Sequence, residues 1–427
     1  MDPYTTLYPT LTPHTIPVTP TVSLHALTSP PTTPHNNPPL LLLHGFPQNL
    51  LIWHRLAPHL TSTHSLVLLD LRGYGKSSKP AGGADHAGYG KSAMAADCAA
   101  AMTALGHARF DVCGHDRGAR VAHRLCVGYP ERVRKALVLD VAPTLAMYER
   151  TDMAFARAYW HWFFLIQDAP LPEGLMVGGA RGWIENTMGG PGGAGLGTFD
   201  AACVESYVGQ MGDAETVHGM CEDYRAAAGI DLEEAREDVA EGRKIACPLR
   251  VLWGKKGVIE AQFDALAEWR KVSEEGVVSG ESVDCGHYIP EEAPDALHSS
   301  SINITRIVIV SVSNASILTR PAAEYARDGS MSPHTPEITY AGLTVAVKYW
   351  NDLREERQLQ NPESHLGVYS WNQDIECLPS MLGLFFLPYY PPHVRLLTPR
   401  NDVWWDSSQA SVSFAAPRQS ASSFFQL

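Results

Sequence analysis

The feature that most constrains the fold is a series of short, uninterrupted apolar segments separated by longer stretches with helical character. Each segment has the length of a strand but lacks the polar alternation of a strand with one face in water. Such continuous apolarity is typical of parallel strands that are covered on both faces. Strands that alternate with helices in this way predict an α/β protein with a mostly parallel, doubly wound sheet. The segments are LLLLHG (40–45), LVLLDLRG (66–73), FDVCGHD (110–116), ALVLDVAP (136–143) and LRVLWG (249–254).

Changes in composition along the chain predict where this sheet is interrupted and where it ends. The aromatic run AYWHWFFL and a glycine-rich stretch break the alternation, which indicates a helical cap inserted over the carboxyl edge of the sheet. The Pro- and Thr-rich start predicts a lead-in with one or two edge strands around Thr15–Ala26. The predicted parts are a lead-in at 1–39, a core at 40–144 and 226–298, a cap at 145–225, and a partly disordered extension of unknown role at 299–427.

Charge and cysteine content narrow the possible partners and the compartment. A formal net charge of −13 argues against nucleic acid or an acidic membrane surface as a partner. No apolar run reaches the roughly 18 residues of a membrane helix. The eight cysteines form no CxxC pair and the N-terminus has no signal-peptide pattern, so we expect reduced thiols in a cytoplasmic protein. No metal-binding spacing such as HExxH occurs, so we expect neither a metal nor another cofactor; a homodimeric state stays open.

The central motif is Gly114-His115-Asp116-Arg117-Gly118, which follows one apolar segment and precedes a helical one. The spacing is that of a nucleophile elbow, with aspartate at the position where serine enzymes carry their nucleophile. Glycines allow the sharp turn that keeps this residue exposed at the sheet edge. A carboxylate needs no deprotonation, and it can displace a leaving group from saturated carbon to give an ester that water must then hydrolyse. Asp116 is therefore the candidate nucleophile.

Hydrolysis of such an ester needs a base, an acid that orients the base, and donors for the developing oxyanion. His287 follows the last strand-like segment and is the candidate base, while Asp140 ends the segment ALVLD and is the candidate acid. The chain order is then nucleophile, acid, histidine, as a nucleophile-elbow fold requires. Glu260 is a weaker candidate for the acid. The backbone N–H groups of Phe46 and Arg117 are the candidate oxyanion hole.

These residues lie within longer strings that resemble the fluoroacetate and haloacetate dehalogenases of the α/β-hydrolase superfamily. The resemblance implies the α/β-hydrolase fold and hydrolytic cleavage of a carbon–halogen bond in a small haloacid, without a cofactor. It also implies that Arg117 and Arg120 hold the substrate carboxylate. The departing halide would be held by His161, Trp162 and Tyr224. The strings, between about Pro39 and Pro294, are HGFPQN (44–49), DLRGYGKSSKP (70–80), GHDRGAR (114–120), AYWHW (158–162) and DYRA (223–226).

Two alternatives stay open beside the haloacid dehalogenase. An epoxide hydrolase shares the Asp-His-Asp triad and typically uses two cap tyrosines, for which Tyr224 has Tyr159 or Tyr207 as a partner. The arginine after Asp116, where epoxide hydrolases commonly carry tryptophan, favours the haloacid. The second alternative is an inactive or ligand-binding homologue. The resemblance fades at EEAPDALHSS, where family members continue into an amphipathic helix that packs beneath the histidine loop.

Overall fold

The computed structural model of the protein describes residues 2–30, 37–190 and 195–303, and beyond these the backbone of seven short strands between Val308 and Phe414. The chain forms two compact units, Met1–Ile304 and Thr305–Leu427, and each is described by itself. The predicted catalytic and binding residues all belong to the first unit.

The first unit is built on one sheet with the strand order β1-β2-β4-β3-β5-β6-β7-β8. Neighbours from β4 to β8 run parallel, whereas β1 and β2 extend the edge in antiparallel fashion. This confirms the predicted mostly parallel sheet. Strands β3 and β4 are buried at every residue, as expected of strands with both faces covered. The strands are β1 (Thr12–Pro17), β2 (Ser23–Thr28), β3 (Leu40–Leu43), β4 (Leu66–Leu69), β5 (Phe110–His115), β6 (Val133–Leu139), β7 (Leu249–Gly254) and β8 (Val278–Val283).

The predicted lead-in contributes its own strands to this sheet. Both β1 and β2 precede residue 39, and they form a hairpin that pairs with β4 through β2. The two edge strands expected around Thr15–Ala26 therefore correspond to a longer pair, and the sheet begins well before residue 40.

Helices connect the parallel strands and cover the sheet. The helix that follows β5 is amphipathic, and its buried face packs against β5 and β6. Because this helix starts at Arg117, its free N-terminal N–H groups lie at the carboxyl edge of the sheet. Outside the insertion between β6 and β7, the helices are α1 (Pro3–Thr6), α2 (Ala57–Leu60), α3 (Lys91–Ala104), α4 (Arg117–Gly128), α13 (Val258–Gln262), α14 (Ala265–Lys271), α15 (Ile289–Glu292) and α16 (Pro294–Asn303).

A helical cap lies between β6 and β7 in the chain. Several of its helices start at an aspartate whose side chain accepts a backbone N–H, as Asp213 does from Thr216. Helix α11 continues past the predicted cap boundary at residue 225 to Ala228, and another helix follows Gly229. The helices between β6 and β7 are α5 (Thr144–Glu149), α6 (Met153–Ala158), α7 (Trp160–Leu165), α8 (Leu171–Gly178), α9 (Ala180–Gly189), α10 (Ala201–Met211), α11 (Ala214–Ala228) and α12 (Ile230–Glu241).

The segment after the candidate base is helical. Helices α15 and α16 close the first unit, and Leu297 of α16 is fully buried. The sequence left open whether a closing helix is present near EEAPDALHSS, and the structure forms α16 over that stretch. Packed helices therefore follow the loop that carries His287.

The second unit contains short antiparallel strands within the predicted extension. Strand β11 pairs with β9, β10 and β12, while β13, β14 and β15 form a second sheet. Across the described residues of both units, the structure has no helix with the combined length and apolarity to cross a membrane. The strands are β9 (Val308–Asn314), β10 (Ile338–Tyr340), β11 (Leu343–Tyr349), β12 (Leu366–Gly367), β13 (His393–Leu397), β14 (Asp402–Asp406) and β15 (Ser411–Phe414).

Candidate active site

Asp116 lies in the turn between β5 and α4, at the carboxyl edge of the sheet. Its backbone has φ 46° and ψ −113°, a conformation that residues other than glycine rarely adopt. Such strain is typical of functional positions, and here it presents the side chain at the top of the turn. The residue is only 6% exposed, so the carboxylate sits in a low-dielectric environment that strengthens its electrostatic contacts.

The two glycines of the elbow are required by close packing of the backbone. A Cβ atom at Gly114 would lie 2.4 Å from the carbonyl oxygen of Gly118. A Cβ atom at Gly118 would lie 2.4 Å from the carbonyl oxygens of Leu43 and His44. Strand β3, the turn and α4 therefore approach so closely that only glycine fits at both positions.

One backbone N–H group contacts the carboxylate of Asp116. The N–H of Phe46 donates to Oδ2 of Asp116 at 3.0 Å. Arg117 is the first residue of α4, so its N–H belongs to the positive end of that helix. The structure thus places both predicted oxyanion-hole residues next to the candidate nucleophile.

His287 and Asp140 form a hydrogen-bonded pair near Asp116. Nδ1 of His287 lies 2.6 Å from Oδ2 of Asp140, and the N–H of Gly254 donates to Oδ1 of Asp140 at 2.8 Å. With Nδ1 bound to the acid, Nε2 of His287 is the nitrogen left to accept a proton from water. Glu260, the weaker candidate for the acid, is exposed and accepts a hydrogen bond from the indole of Trp253 instead.

The charge state of these residues suits a carboxylate nucleophile and a histidine base. Burial disfavours the carboxylate of Asp116, but His287, Arg117 and Arg120 outweigh it and lower the pKa of Asp116. Burial also disfavours the imidazolium of His287, yet the hydrogen bond and charge of Asp140 raise the pKa of His287 above its ordinary value. Asp116 is therefore ionised near neutral pH, as direct displacement requires.

Arg117 and Arg120 lie on successive turns of α4 and are both buried. Arg117 donates from Nε and Nη2 to the carboxylate of Asp223, at 2.9 and 2.6 Å. Arg120 donates from Nη1 to the hydroxyl of Thr144 at 2.8 Å and from Nη2 to the sulfur of Met147 at 3.1 Å. Nη1 of Arg117 and Nε of Arg120 are buried without an acceptor among the described residues. Neither guanidinium group therefore has all of its nitrogens paired with a described residue.

The structure brings His161, Trp162 and Tyr224 together above the nucleophile turn. The ring of Tyr224 lies 6.0 Å from that of His161 and 6.3 Å from that of Trp162, between ring centres. Phe46, whose N–H binds Asp116, stacks on His161 at 5.9 Å. Burial lowers the pKa of His161 to about 4, so its imidazole is neutral at pH 7 and carries one N–H. The cluster offers an imidazole N–H, an indole N–H and a phenol O–H.

A buried ion network behind Arg117 was not foreseen from the sequence. Asp223 accepts hydrogen bonds from Arg117, from Tyr74 at 2.7 Å and from Lys91, which also pairs with Asp231 at 3.3 Å. Asp223 is 106 residues from Arg117 in the chain. In the sequence, Asp223 stands out only as part of the string DYRA, in which a role is assigned to Tyr224 alone.

His115 is a second residue that the sequence analysis did not assign. Its Nε2 lies 2.9 Å from the carbonyl oxygen of His287, and the two rings are 4.7 Å apart between centres. Burial lowers the pKa of His115 to about 3, so its ring is neutral and can donate one N–H to that carbonyl. His115 thereby fixes the loop that carries the candidate base.

Several known proteins are similar to this chain in sequence. A family model of the alpha/beta hydrolase fold matches residues 38–175. A fluoroacetate dehalogenase from Burkholderia sp is 42% identical over 260 residues, which cover 61% of this chain and 84% of that protein. A soluble epoxide hydrolase from Corynebacterium sp. (strain C12) is 28% identical over 276 residues, which cover 60% of this chain and 86% of that protein.

Solved structures give the same picture. ALR0039 from Nostoc sp PCC 7120, provisionally assigned to the alpha/beta hydrolases, is 41% identical and superposes with a TM-score of 0.65. That match covers 70% of this chain and 98% of the Nostoc protein. Cfl2 from Burkholderia cenocepacia is 27% identical with a TM-score of 0.60, over 69% of this chain and 94% of that one.

Proposed function

This chain belongs to the α/β-hydrolase family and is a hydrolase, and we propose that it cleaves the carbon–halogen bond of a small haloacid such as a haloacetate. The observation that carries the proposal is the pair of arginines on α4, each with a buried N–H that lacks an acceptor among the described residues. A carboxylate is the ligand that such paired guanidinium donors bind best. The 42% identity to a fluoroacetate dehalogenase supports the same substrate class.

In the first step the carboxylate of Asp116 attacks the α-carbon of the haloacid. A carbon–oxygen bond forms, the carbon–halogen bond breaks with its electron pair going to the halide, and an ester of Asp116 results. Held through its own carboxylate by Arg117 and Arg120, the substrate presents its α-carbon in line with the attacking oxygen. Because Oδ2 of Asp116 accepts the N–H of Phe46, Oδ1 is the oxygen we assign as the nucleophile.

The leaving halide gains negative charge only as the carbon–halogen bond breaks. Donors placed around that charge lower the barrier without tightening the binding of the substrate itself. His161, Trp162 and Tyr224 can supply such donors, and the neutral state of His161 keeps an N–H available at pH 7. We assign these three side chains to the halide.

In the second step water hydrolyses the ester. His287 takes a proton from water through Nε2, and the resulting hydroxide attacks the carbonyl carbon of the Asp116 ester. The N–H groups of Phe46 and Arg117 stabilise the oxyanion. As the oxyanion collapses, the bond between the acyl carbon and the alkyl oxygen breaks, and the leaving alkoxide takes the proton held by His287 to become the hydroxyacid. The new carboxyl group of Asp116 loses its proton to solvent, which restores the carboxylate. Asp140 holds His287 in the tautomer that this step needs.

The experiment uses chloroacetate and fluoroacetate with the full chain and three variants. The unaltered chain should release halide and hydroxyacid in equal amounts. His287→Asn should accumulate an ester on the peptide that contains Asp116, detected by mass spectrometry, whereas Asp116→Asn should neither form the ester nor release halide. The matched control His59→Asn, which alters an exposed side chain on α2, should behave as the unaltered chain. Absence of the ester in His287→Asn, with halide still released by Asp116→Asn, would falsify the proposal.

A neutral epoxide is the second candidate substrate, and one observation favours it. Tyr159 and Tyr224 both contact His161, with ring centres 5.7 and 6.0 Å away. Two phenols near an aspartate nucleophile could protonate the oxygen of an opening epoxide. Diol formation from styrene oxide, measured beside halide release from chloroacetate, separates the two. A higher kcat/KM for the epoxide would replace the haloacid assignment.

A further inference from the structure

Three side chains with metal-ligand chemistry converge at a buried position outside the catalytic residues. They are His54, which follows a short 3-10 helix, Cys203 on α10 and Glu291 on α15. One ligand atom from each lies within 4.8 Å of the other two. Cys203 and Glu291 are fully buried and His54 is half-buried. We call this group the His-Cys-Glu cluster.

The spacing within the cluster is close to that of a tetrahedral metal site. Sγ of Cys203 lies 3.6 Å from Nδ1 of His54. Zinc–sulfur and zinc–nitrogen bonds of about 2.3 and 2.0 Å at a tetrahedral angle put the sulfur and nitrogen about 3.5 Å apart. The distance between Sγ of Cys203 and Nδ1 of His54 therefore already matches that of a site with a bound ion. Only the carboxylate of Glu291 has to move closer.

Among the described residues, no cationic side chain forms an ion pair with the acidic member of the cluster, Glu291. The carboxylate of Glu291 accepts the hydroxyl of Tyr207 at 3.2 Å and an amide N–H of Gln48, one on each oxygen. Two donors of this kind suit an ionised carboxylate, yet no lysine or arginine of the described chain lies within ion-pair distance of it. The guanidinium of Arg55 donates instead to the backbone oxygens of Glu291 and Thr198.

We propose that the His-Cys-Glu cluster binds one divalent transition-metal ion of the zinc class, through an imidazole nitrogen of His54, the thiolate of Cys203 and a carboxylate oxygen of Glu291. The thiol of Cys203 loses its proton to solvent when the metal–sulfur bond forms. The thiolate, the carboxylate and the divalent ion then sum to zero charge, which removes the cost of a lone buried anion. Imidazole, thiolate and carboxylate are ligands that zinc takes in proteins.

Binding of the ion through Nδ1 of His54 costs one hydrogen bond. That nitrogen lies 2.9 Å from the carbonyl oxygen of Leu51, so coordination moves the proton to Nε2 and gives up this contact. In return the ion joins three elements of the first unit: the segment after β3, cap helix α10, and α15, which begins two residues after His287. We expect the ion to stabilise the attachment of the cap and to take no part in bond breaking.

The test is a titration of the untagged, chelator-treated full chain with Co²⁺. The unaltered chain should bind one ion and develop a sulfur-to-cobalt charge-transfer band in the near ultraviolet, which Zn²⁺ should abolish by displacement. Cys203→Ser and Glu291→Gln should each weaken binding at least about tenfold, and Cys203→Ser should also lose the band. Cys98→Ala removes a buried thiol on α3 that is not part of the His-Cys-Glu cluster, so this variant should keep both the affinity and the band.

Thermal unfolding gives an independent readout that does not depend on the hydrolase reaction. Zn²⁺ should raise the Tm of the unaltered chain and of Cys98→Ala, because the ion binds the folded state only, and should leave that of Glu291→Gln unchanged. No charge-transfer band in the unaltered chain, or a band that survives in Cys203→Ser, overturns the proposal. Equal rises of Tm in all variants would show that the ion binds elsewhere, and would overturn it as well.

Discussion

The two arginines at the start of α4 differ in what balances their charge. Arg117 is matched by the carboxylate of Asp223, through a bidentate contact that is fully buried. Arg120 donates only to neutral acceptors in the described chain, chiefly the hydroxyl of Thr144. Its uncompensated charge acts on Asp116 and helps lower the pKa of that carboxyl. An anionic substrate would therefore gain most of its attraction from Arg120, with Arg117 held in place to orient it.

Substitution of Arg120 tests this division of roles. Arg120→Gln removes the uncompensated charge and should reduce kcat/KM for chloroacetate by about tenfold to 150-fold, equivalent to about 1.5–3 kcal/mol for a hydrogen bond to a charged group. Most of the loss should appear in KM, because Arg117 and Arg120 bind the end of the substrate that does not react. Steady-state halide release measures both constants. Arg124→Gln, one turn later and paired with Asp238, is the matched control and should leave KM unchanged.

The pH dependence of the reaction follows from His287. Only the neutral imidazole can take a proton from water, so the hydrolysis of the ester should slow as pH falls through the pKa of His287. Asp140 raises that pKa, and the acid limb of the kcat profile should therefore lie above the ordinary histidine value of about 6.5. Asp140→Asn should lower kcat and move the limb to lower pH. An acid limb at the same pH in both proteins would contradict the assignment of Asp140.

At the scale of elements, the strand–turn–helix around Asp116 is fixed by backbone contacts. Gly118 lies against the carbonyl oxygens of Leu43 and His44 in β3 and the residue after it, and Gly114 lies against Gly118. The two glycines of the motif are thus required by the close approach of β5, α4 and β3. The positive φ of Asp116 is maintained by that packing, which holds the carboxylate at the edge of the sheet.

Gly118→Ala should therefore destabilise the first unit. The added methyl group would meet backbone atoms that cannot rotate away, and we expect a loss of about 1–3 kcal/mol in the free energy of unfolding, with reduced activity. Gly128→Ala, at the other end of α4, meets nothing within 4 Å and should be neutral or stabilising by up to about 1 kcal/mol. Urea titrations of both variants measure the difference. Equal stability of the two would show that the elbow can relax.

Across the whole molecule, features with a local pattern were predictable and long-range pairings were not. The apolar strands, the elbow at Asp116 and the chain order of Asp140 and His287 are local or ordered along the chain, so the sequence predicts their place at one sheet edge. The contact between Arg117 and Asp223 joins residues far apart in sequence, and no periodicity marks it. The same holds for the His-Cys-Glu cluster, whose ligands come from three elements.

The extent of the cap and the state of the chain after His287 were also hard to predict. Composition changes near residue 225 suggested the end of the cap, but α11 continues past it because its buried face is still covered there. The loss of resemblance after Pro294 left open whether the closing helix is present. Helix formation there depends on local propensity and on the burial of Leu297. Neither of these requires the sequence that family members have at this position.

The division of the chain into Met1–Ile304 and Thr305–Leu427 gives the last prediction. Every residue that we assign to the reaction, and both helices after His287, belong to the first unit. A chain ended after residue 304 should therefore fold and release halide from chloroacetate with kcat/KM within about twofold of the full chain.

A chain ended after residue 293 is the matched comparison for that truncation. It lacks α16, and the loss of the fully buried Leu297 alone should remove about 2–5 kcal/mol of stability. This shorter chain should lose cooperative unfolding and activity together, measured by thermal denaturation and halide release. If the chain ended at 304 were inactive while still folded, the second unit would have to contribute directly to the reaction, because stability could no longer explain the loss.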